Sequence, residues 1–282
     1  MGFRIRHFHC PETATLSYLA WDDRAHVGVV IDPSVGAERA LLAAIDELGL
    51  AIPLVLETHL HMDHVSCAPS LRRRCGARVA IGARVRELGV LLVGRPVADV
   101  FDDFLEDGDT LAAGPLDITA FDTPGHTGAC VSYRIEDALF VGDLLLRPER
   151  GTGRCDFLGG SADALFDSVY RIYRDLPDGT RVFPGHAYGA DRDDLRPETT
   201  LWEQRARNVL LNAFTSRREF AGNRAEADAR LGVPRGLVTS VAANLEGTTV
   251  APDDVLLSEE GLRAVAATPD AGIGWNRRLR LA

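Results

Sequence analysis

The chain has 282 residues, 46% of them hydrophobic and 26% charged, an ordinary globular balance with length for one large domain or two small ones. A formal net charge of -10 argues against an extended nucleic-acid surface. All 31 basic residues are arginine, which excludes lysine Schiff-base chemistry and a Walker-type phosphate loop.

The start, Met1-Gly2-Phe3-Arg4-Ile5-Arg6-His7, has no long apolar core of a signal peptide, and Arg6 stands where a myristoylation motif wants Ser or Thr. No segment approaches the roughly 18 apolar residues of a membrane span. The 5 cysteines are scattered and form no CxxC pair, as expected of reduced thiols rather than a disulfide framework. A soluble, cytoplasmic protein is the expectation. Residues 13–31 hold two β-rich segments around the polar turn Trp21-Asp22-Asp23-Arg24, a predicted hairpin ending at Asp32-Pro33. Leu41, Leu42, Ile45 and Leu48 fall at helical spacing over 37–48, and Gly49 stops that helix. Residues 53–57 follow as a buried strand. A helix is predicted over 67–75 with Arg72-Arg73-Arg74 on its solvent side. Short strands are predicted over 79–81, 116–122, 131–135 and 138–141, and the acidic stretch 99–109 reads as a surface connection between halves. Residues 161–175 form an amphipathic helix with Leu165, Val169 and Ile172 on one stripe and Ser161 as N-cap. No internal repeat is visible. His7, His9 and His26 read as surface or locally hydrogen-bonded residues.

The chemistry concentrates in Thr58-His59-Leu60-His61-Met62-Asp63-His64, at the end of the strand over 53–57. Three imidazoles and a carboxylate this close together are costly to keep unless a metal holds them. In an extended segment His59 and His61 point to the same side, and a turn into helix would bring Asp63 and His64 round to a neighbouring position. Three later loops each end a predicted strand with a ligand type: His126 in Asp122-Thr123-Pro124-Gly125-His126-Thr127, Asp143 in Phe140-Val141-Gly142-Asp143, and His186 in Phe183-Pro184-Gly185-His186.

This HxHxDH motif, followed by His, Asp and His in that order, resembles the metallo-β-lactamase fold superfamily over roughly residues 13–186. The resemblance implies an α/β (α+β) fold, an αββα sandwich with its metal site at one edge of the two sheets. Residues 1–247 would form the catalytic domain, and 248–282 a C-terminal extension packed on the core, with 255–265 as a helix. Within the superfamily, Arg150-Gly151-Thr152-Gly153-Arg154-Cys155-Asp156-Phe157 resembles the GRTDF loop of persulfide dioxygenases, with Cys155 in place of threonine. Further similarity lies in 164–169, Leu176-Pro177, 184–188, 217–220 and 241–244. The loop over 144–153 is a couple of residues longer than that family's pattern, and the tail after 247 is unlike it.

That resemblance implies one Fe(II) per chain, held by His59, His126 and Asp143 as a facial triad. His61, Asp63, His64 and His186 then become groups behind the ligands or an unused second site. A thiol persulfide, such as that of glutathione, would be oxidised with O2 to sulfite and the thiol. Tyr188 is the candidate hydrogen-bond donor to the bound oxidant or a wall of the pocket. Arg154, with Asp156 and Phe157, is the candidate substrate-binding group, or alternatively Arg154 is a structural bridge to Asp156. Cys155 either fills the threonine's volume or is open to oxidation. A homodimer is the family expectation. The alternative is a binuclear hydrolase of the glyoxalase II or lactonase type, with two Zn(II) or mixed metals bridged by Asp143 and a thioester or lactone as substrate.

Overall fold

The computed structural model describes residues 2–249 apart from 94–96, 98, 190–194, 196 and 235. Beyond 249, the expected extension and its helix over 255–265 lie outside the described residues.

Two six-stranded sheets carry the chain. The first is built from β1 (Phe3–Cys10), β2 (Thr15–Asp22), β3 (Val27–Ile31), then α1 (Glu38–Leu48), β4 (Ala51–Leu56), α2 (Ala68–Cys75), β5 (Arg78–Gly82), α3 (Val85–Val93) and β6 (Asp103–Leu105). Its strands lie in sequence order; β1 to β3 are antiparallel, and β3 to β6 are parallel. Parallel neighbours need crossovers, and α1, α2 and α3 supply them. The second sheet takes β7 (Thr110–Ala113), β8 (Leu116–Asp122), β9 (Val131–Ile135) and β10 (Ala138–Gly142) as an antiparallel meander. The helix α4 (Ala162–Asp175) then crosses to β11 (Arg181–Pro184), which runs parallel to β10, and β12 (Thr199–Thr200) closes the edge. Three helices follow: α5 (Leu201–Arg207), α6 (Arg217–Ala229) and α7 (Leu237–Glu246).

Each sheet buries both faces, which explains the continuous apolar runs. Leu54 and Leu56 of β4 pack between the sheets with Leu16, Tyr18, Ile31, Ile118 and Phe140. Ile52 and Val55 face the other way, onto Leu41, Ile45, Leu71 and Val241 of the helices. On the second sheet, Leu139, Val141 and Val182 pack on Leu165, Val169, Ile172 and Phe220 of α4 and α6. The layers are therefore helix, sheet, sheet, helix, as the motif resemblance led one to expect. Between the sheets Tyr18, Phe140 and Phe183 form a ring cluster with centroids 5.1 to 5.5 Å apart. It fixes β2, β10 and β11 directly beneath the loops that leave them.

Two expectations are corrected. The stretch 99–109 is not only a connection, because it contains the edge strand β6. Its acidic residues hid the strand and in fact tie it down: the Asp102 carboxylate accepts from Val79 N and from Arg72, and Asp103 pairs with Arg78. Arg72 is accordingly half-buried and bonded, also donating to Val100 O at 2.9 Å, rather than simply solvated. The second correction concerns the motif loop: no helix begins at Met62, the chain bends through Met62 to His64, and α2 starts only at Ala68.

β10 ends on Gly142 in the left-handed region, φ 50°, where its register with β11 shifts. A side chain there would collide with Thr58 Oγ1, next to His59. Gly49, the α1 cap at φ 61°, has open space around it. Gly49→Ala should cost about 1 kcal/mol from the left-handed backbone alone. Gly142→Ala should cost at least about 1 to 3 kcal/mol more, because the strained site cannot relax without moving Thr58. Denaturant unfolding of both variants measures this, and equal losses would show that the packing against Thr58 carries no weight.

Candidate metal centre

The motif loop is held from beneath by Asp32, buried at the end of β3. Its carboxylate accepts from Thr58 N at 2.7 Å, from Thr58 Oγ1 at 2.8 Å and from His61 Nε2 at 3.2 Å. Because the Thr58 hydroxyl donates to Asp32, it can accept from His59 Nδ1, 2.9 Å away. That leaves His59 with Nε2 as its free ligand atom. His126 is set the same way, with Nδ1–H donating to the Arg154 carbonyl at 2.7 Å. An imidazole whose second nitrogen is held by a carbonyl or hydroxyl is oriented as metal-binding histidines are.

From the other sheet Asp143 arrives just after Gly142, and His186 just after Gly185. The two loops are joined by Gly185 N–H donating to Gly142 O at 2.8 Å. His186 lies between two carboxylates, Nδ1 2.7 Å from Asp143 Oδ1 and Nε2 2.7 Å from Asp63 Oδ2. His59, His126 and Asp143 thus bring one ligand atom each to within 4.8 Å of one another, all three buried; so do His61, Asp63 and His64. The His59 ring lies 4.2 Å from that of His61 and 4.8 Å from that of His126, centroid to centroid.

The electrostatics of His59, His126, Asp63 and Asp143 suit a cation. Burial, followed by the neighbouring histidines, lowers His59 well below its ordinary range, and burial also lowers His126, so both lone pairs are available. Burial would raise the Asp63 and Asp143 carboxyls, but the His186 imidazole outweighs it and holds both below the usual carboxylate range. His61 is pushed up to about 10: burial works against the charged ring, but Asp32 and then Glu57 prevail. The fit to a metal can be read from two orphaned atoms. His61 Nδ1 and His64 Nε2 are buried with no hydrogen-bond partner, a costly arrangement for a polar atom and the natural one for a nitrogen that meets an ion.

The remaining predicted residues surround this centre. Tyr188 stacks on His186, centroids 4.7 Å apart and planes 6° from parallel, and the residue is 42% exposed. Desolvation raises its phenol above the ordinary range, so the hydroxyl stays a donor. Arg154 is bidentate to Asp156, Nε to Oδ1 at 2.6 Å and Nη2 to Oδ2 at 2.7 Å; its Nη1 donates to Gly232 O at 2.9 Å. The guanidinium lies over the ring of Phe157, 4.8 Å from its centroid, and Phe157 is fully buried. These three residues therefore form one packed unit. Cys155 is buried, and burial pushes its thiol well above the ordinary range, so the reactive thiolate is suppressed. Its N–H donates to Asp228, which pairs with Arg224 of α6; Arg224 in turn donates to Thr152 O.

Sequence reading missed Asp32, Glu57 and Asn244. Asn244, on α7, donates to the carbonyls of His61 and His64 and accepts from Ser66 N. Asn244 lies in the 241–244 segment that resembles the family, but nothing local shows its role, because it acts 178 to 183 residues from its partners. Asp32 had a signal, a lone carboxylate closing an apolar strand.

Comparison with known proteins agrees with this fold. Residues 10–186 match the metallo-beta-lactamase superfamily model. A probable metallo-hydrolase of Burkholderia pseudomallei is 35% identical over 280 residues, 89% of this chain and 95% of that protein. The mitochondrial persulfide dioxygenase ETHE1 of Homo sapiens is 32% identical over 200 residues, 70% of this chain and 74% of its own length. The crystal structure of ETHE1 from Myxococcus xanthus superposes with a TM-score of 0.74 at 31% identity, covering 86% of this chain and 99% of that one. With its two-sheet sandwich and its ligand loops converging at one edge, the chain belongs to the metallo-beta-lactamase superfamily.

Proposed function

We propose that the chain is a mononuclear Fe(II) persulfide dioxygenase, acting on a low-molecular-weight thiol persulfide with O2. The observation that carries this reading is the convergence of His59, His126 and Asp143, two histidines and one carboxylate, while both ring nitrogens of His186 are already held by carboxylates. Similarity to ETHE1 proteins in sequence and in structure supports it. Bound at such a triad, Fe(II) supplies open positions for a thiolate-like sulfur and O2 together with the redox chemistry. Overall, O2 and one water furnish the three oxygens of sulfite, and the thiol leaves carrying a proton.

The chain's own residues then bind and orient. The Arg154 carbonyl and Thr58 hydroxyl keep the N–H protons of His126 and His59 on Nδ1. His186 holds the Asp143 carboxylate in place from behind. Tyr188 presents a protonated hydroxyl at the mouth.

A second reading, a binuclear Zn(II) hydrolase of a thioester or lactone, is favoured by the orphaned His61 Nδ1 and His64 Nε2 and by the hydrolase name of the Burkholderia relative. Anaerobically purified protein separates the two: one iron per chain with oxygen uptake on glutathione persulfide supports the first, and two metals with thioester cleavage but no oxygen uptake supports the second.

Replacing His59, His126 or Asp143 with Ala should remove iron and activity together, whereas His186→Ala should lower activity and leave iron largely bound. Elemental analysis of the four variants decides, and a loss of one of two metals in the His186 variant would sink the mononuclear reading.

Arg154→Ala should slow a carboxylate-bearing persulfide roughly tenfold to hundredfold in kcat/KM, the loss of a charge-assisted contact of about 1.5 to 3 kcal/mol, with iron retained. An uncharged alkyl persulfide should be affected much less. Equal slowing of both substrates would mean that Arg154 acts only through its bridge to Asp156 and Gly232.

A further inference from the structure

The loop over 144–153, singled out in the sequence by its length, leaves the candidate ligand Asp143 and returns to it: Gly153 N–H donates to Asp143 O at 2.8 Å. Between these ends the chain makes an anchored turn. Leu146 N–H donates to Gly151 O at 3.0 Å, and the amides of Arg150 and Gly151 both donate to Arg147 O. Two fully buried amide side chains hold the same turn from within, Gln204 donating to Leu146 O at 2.8 Å and Asn208 to Gly151 O at 2.9 Å. The turn carries two cations. Arg147 is paired with Glu149 at 2.5 Å. Arg150 is exposed, and its guanidinium has no hydrogen bond or ion pair among the described residues.

That guanidinium lies against Gly189, where any side chain would collide with Arg150 Nη2. Gly189 sits at φ 66° and directly follows Tyr188, the ring stacked on His186. A turn rising from Asp143 and a bend rising from His186 therefore meet at an uncompensated cation. Arg150 is three residues from Gly153, and Gly189 three from His186, each at most about 11 Å of chain. Arg154, by contrast, spends Nε and Nη2 on Asp156 and Nη1 on Gly232 O. A net charge of -10 gives an anionic substrate no general attraction, so its attraction has to be local. A guanidinium with its donors unspent matches a carboxylate in two-pronged fashion, and a turn already fixed by buried amides has little left to order on binding.

We propose that Arg150 is a specificity-determining residue that binds a substrate carboxylate remote from the reacting sulfur. The thiol carrying the persulfide is then one with an acidic group several bonds away. The inference deepens the persulfide reading above and rests on it for the substrate; Arg150 is a second cation beside Arg154, not a replacement for it.

The test uses the anaerobically purified enzyme with Arg150→Lys, Arg150→Gln and Arg150→Glu, none of which removes a side-chain bond seen in the fold. With glutathione persulfide, KM should stay near wild type in the Lys variant and rise about two- to fivefold in the Gln variant, the scale of an exposed ion pair. It should rise further in the Glu variant, with kcat little changed throughout. An uncharged alkyl persulfide should show no such order, and added salt should shrink the difference between wild type and the Gln variant. A KM that ignores the charge at position 150, or that moves equally for both substrates, overturns the proposal. Calorimetric binding of glutathione, the thiol product, needs no turnover, and its Kd should follow the same order of charge. Charge-ordered Kd values without oxygen uptake on either persulfide would leave the carboxylate site standing and sink the dioxygenase reading. Normal oxygen uptake with Kd values indifferent to charge, or with no glutathione binding, would sink the proposal alone. Failure of both measurements would sink both.

Discussion

A buried carboxylate must find donors for its oxygens or lose its charge, and Asp32 meets that demand with the very atoms that shape the motif loop. It sits at φ 48°, a left-handed conformation that aspartate tolerates better than most residues, at the point where β3 ends. From there it takes the Thr58 amide, the Thr58 hydroxyl and the His61 ring nitrogen. Hydrogen bonds to a charged group of this kind contribute about 1.5 to 3 kcal/mol each. The consequence runs outward: Thr58, having given its proton to Asp32, orients His59; His61, having given its own, is left with Nδ1. Two of the loop's three imidazoles thus lean on this one carboxylate, His61 sharing its Nε2 between Asp32 at 3.2 Å and Glu57 at 3.0 Å.

The second sheet reaches the same place by backbone. Leu16 N–H donates to Gly185 O and Gly185 N–H to Gly142 O, both at 2.8 Å, and the Tyr18 hydroxyl donates to Pro184 O at 2.6 Å. These bonds stitch β2 of the first sheet to the ends of β10 and β11 in the second. A shift of one sheet on the other would therefore break hydrogen bonds before it moved Asp143 or His186. Gly185 is needed for the same reason as Gly142, since a side chain there would meet Asp143 Oδ1 at 2.9 Å. The aromatic cluster below adds the rigidity that such close approach requires.

Much of this was legible in the sequence where the signal was local. The ligand loops, the helices α1 and α4 with Gly49 and Ser161 at their ends, and the hairpin of β2 and β3 all follow from periodicity and turn residues. The two-sheet sandwich followed only from the family resemblance that the ligand motif carries, because apolar runs look alike whichever sheet they enter. β6 was concealed by acidic residues whose partners, Arg72 and Arg78, lie in other elements. β1 was also missed. Its alternating exposed and half-buried positions carry charges and histidines, and only pairing with β2 makes it a strand. At the site, the residues that bind were visible because HxHxDH is dense in ligands. Of the residues that orient them, Asp32 left only the trace of a lone carboxylate closing an apolar strand, and Glu57 and Asn244 were not visible, because each is one ordinary polar residue whose meaning depends on a distant contact.

Those distant contacts also show how much of the site's support lies beyond the matched family model. The matched family model ends at residue 186, yet two supports of the site come from later in the chain. α7 sends Asn244 to the carbonyls of His61 and His64. α6 sends Arg224 and Asp228 beneath residues 152–155, the segment whose Arg154 carbonyl receives His126 Nδ1. A buried ion pair such as Arg224–Asp228 contributes little net stability against well-packed apolar residues. What it contributes here is geometry: a guanidinium and a carboxylate that together hold one loop oxygen and one loop N–H in fixed positions. The core sandwich thus brings the ligands together, and the C-terminal helices set the angles at which the ligand loops present them. A chain carrying the same HxHxDH motif on the same sheets, but different helices after residue 186, would keep the ligands and present them differently.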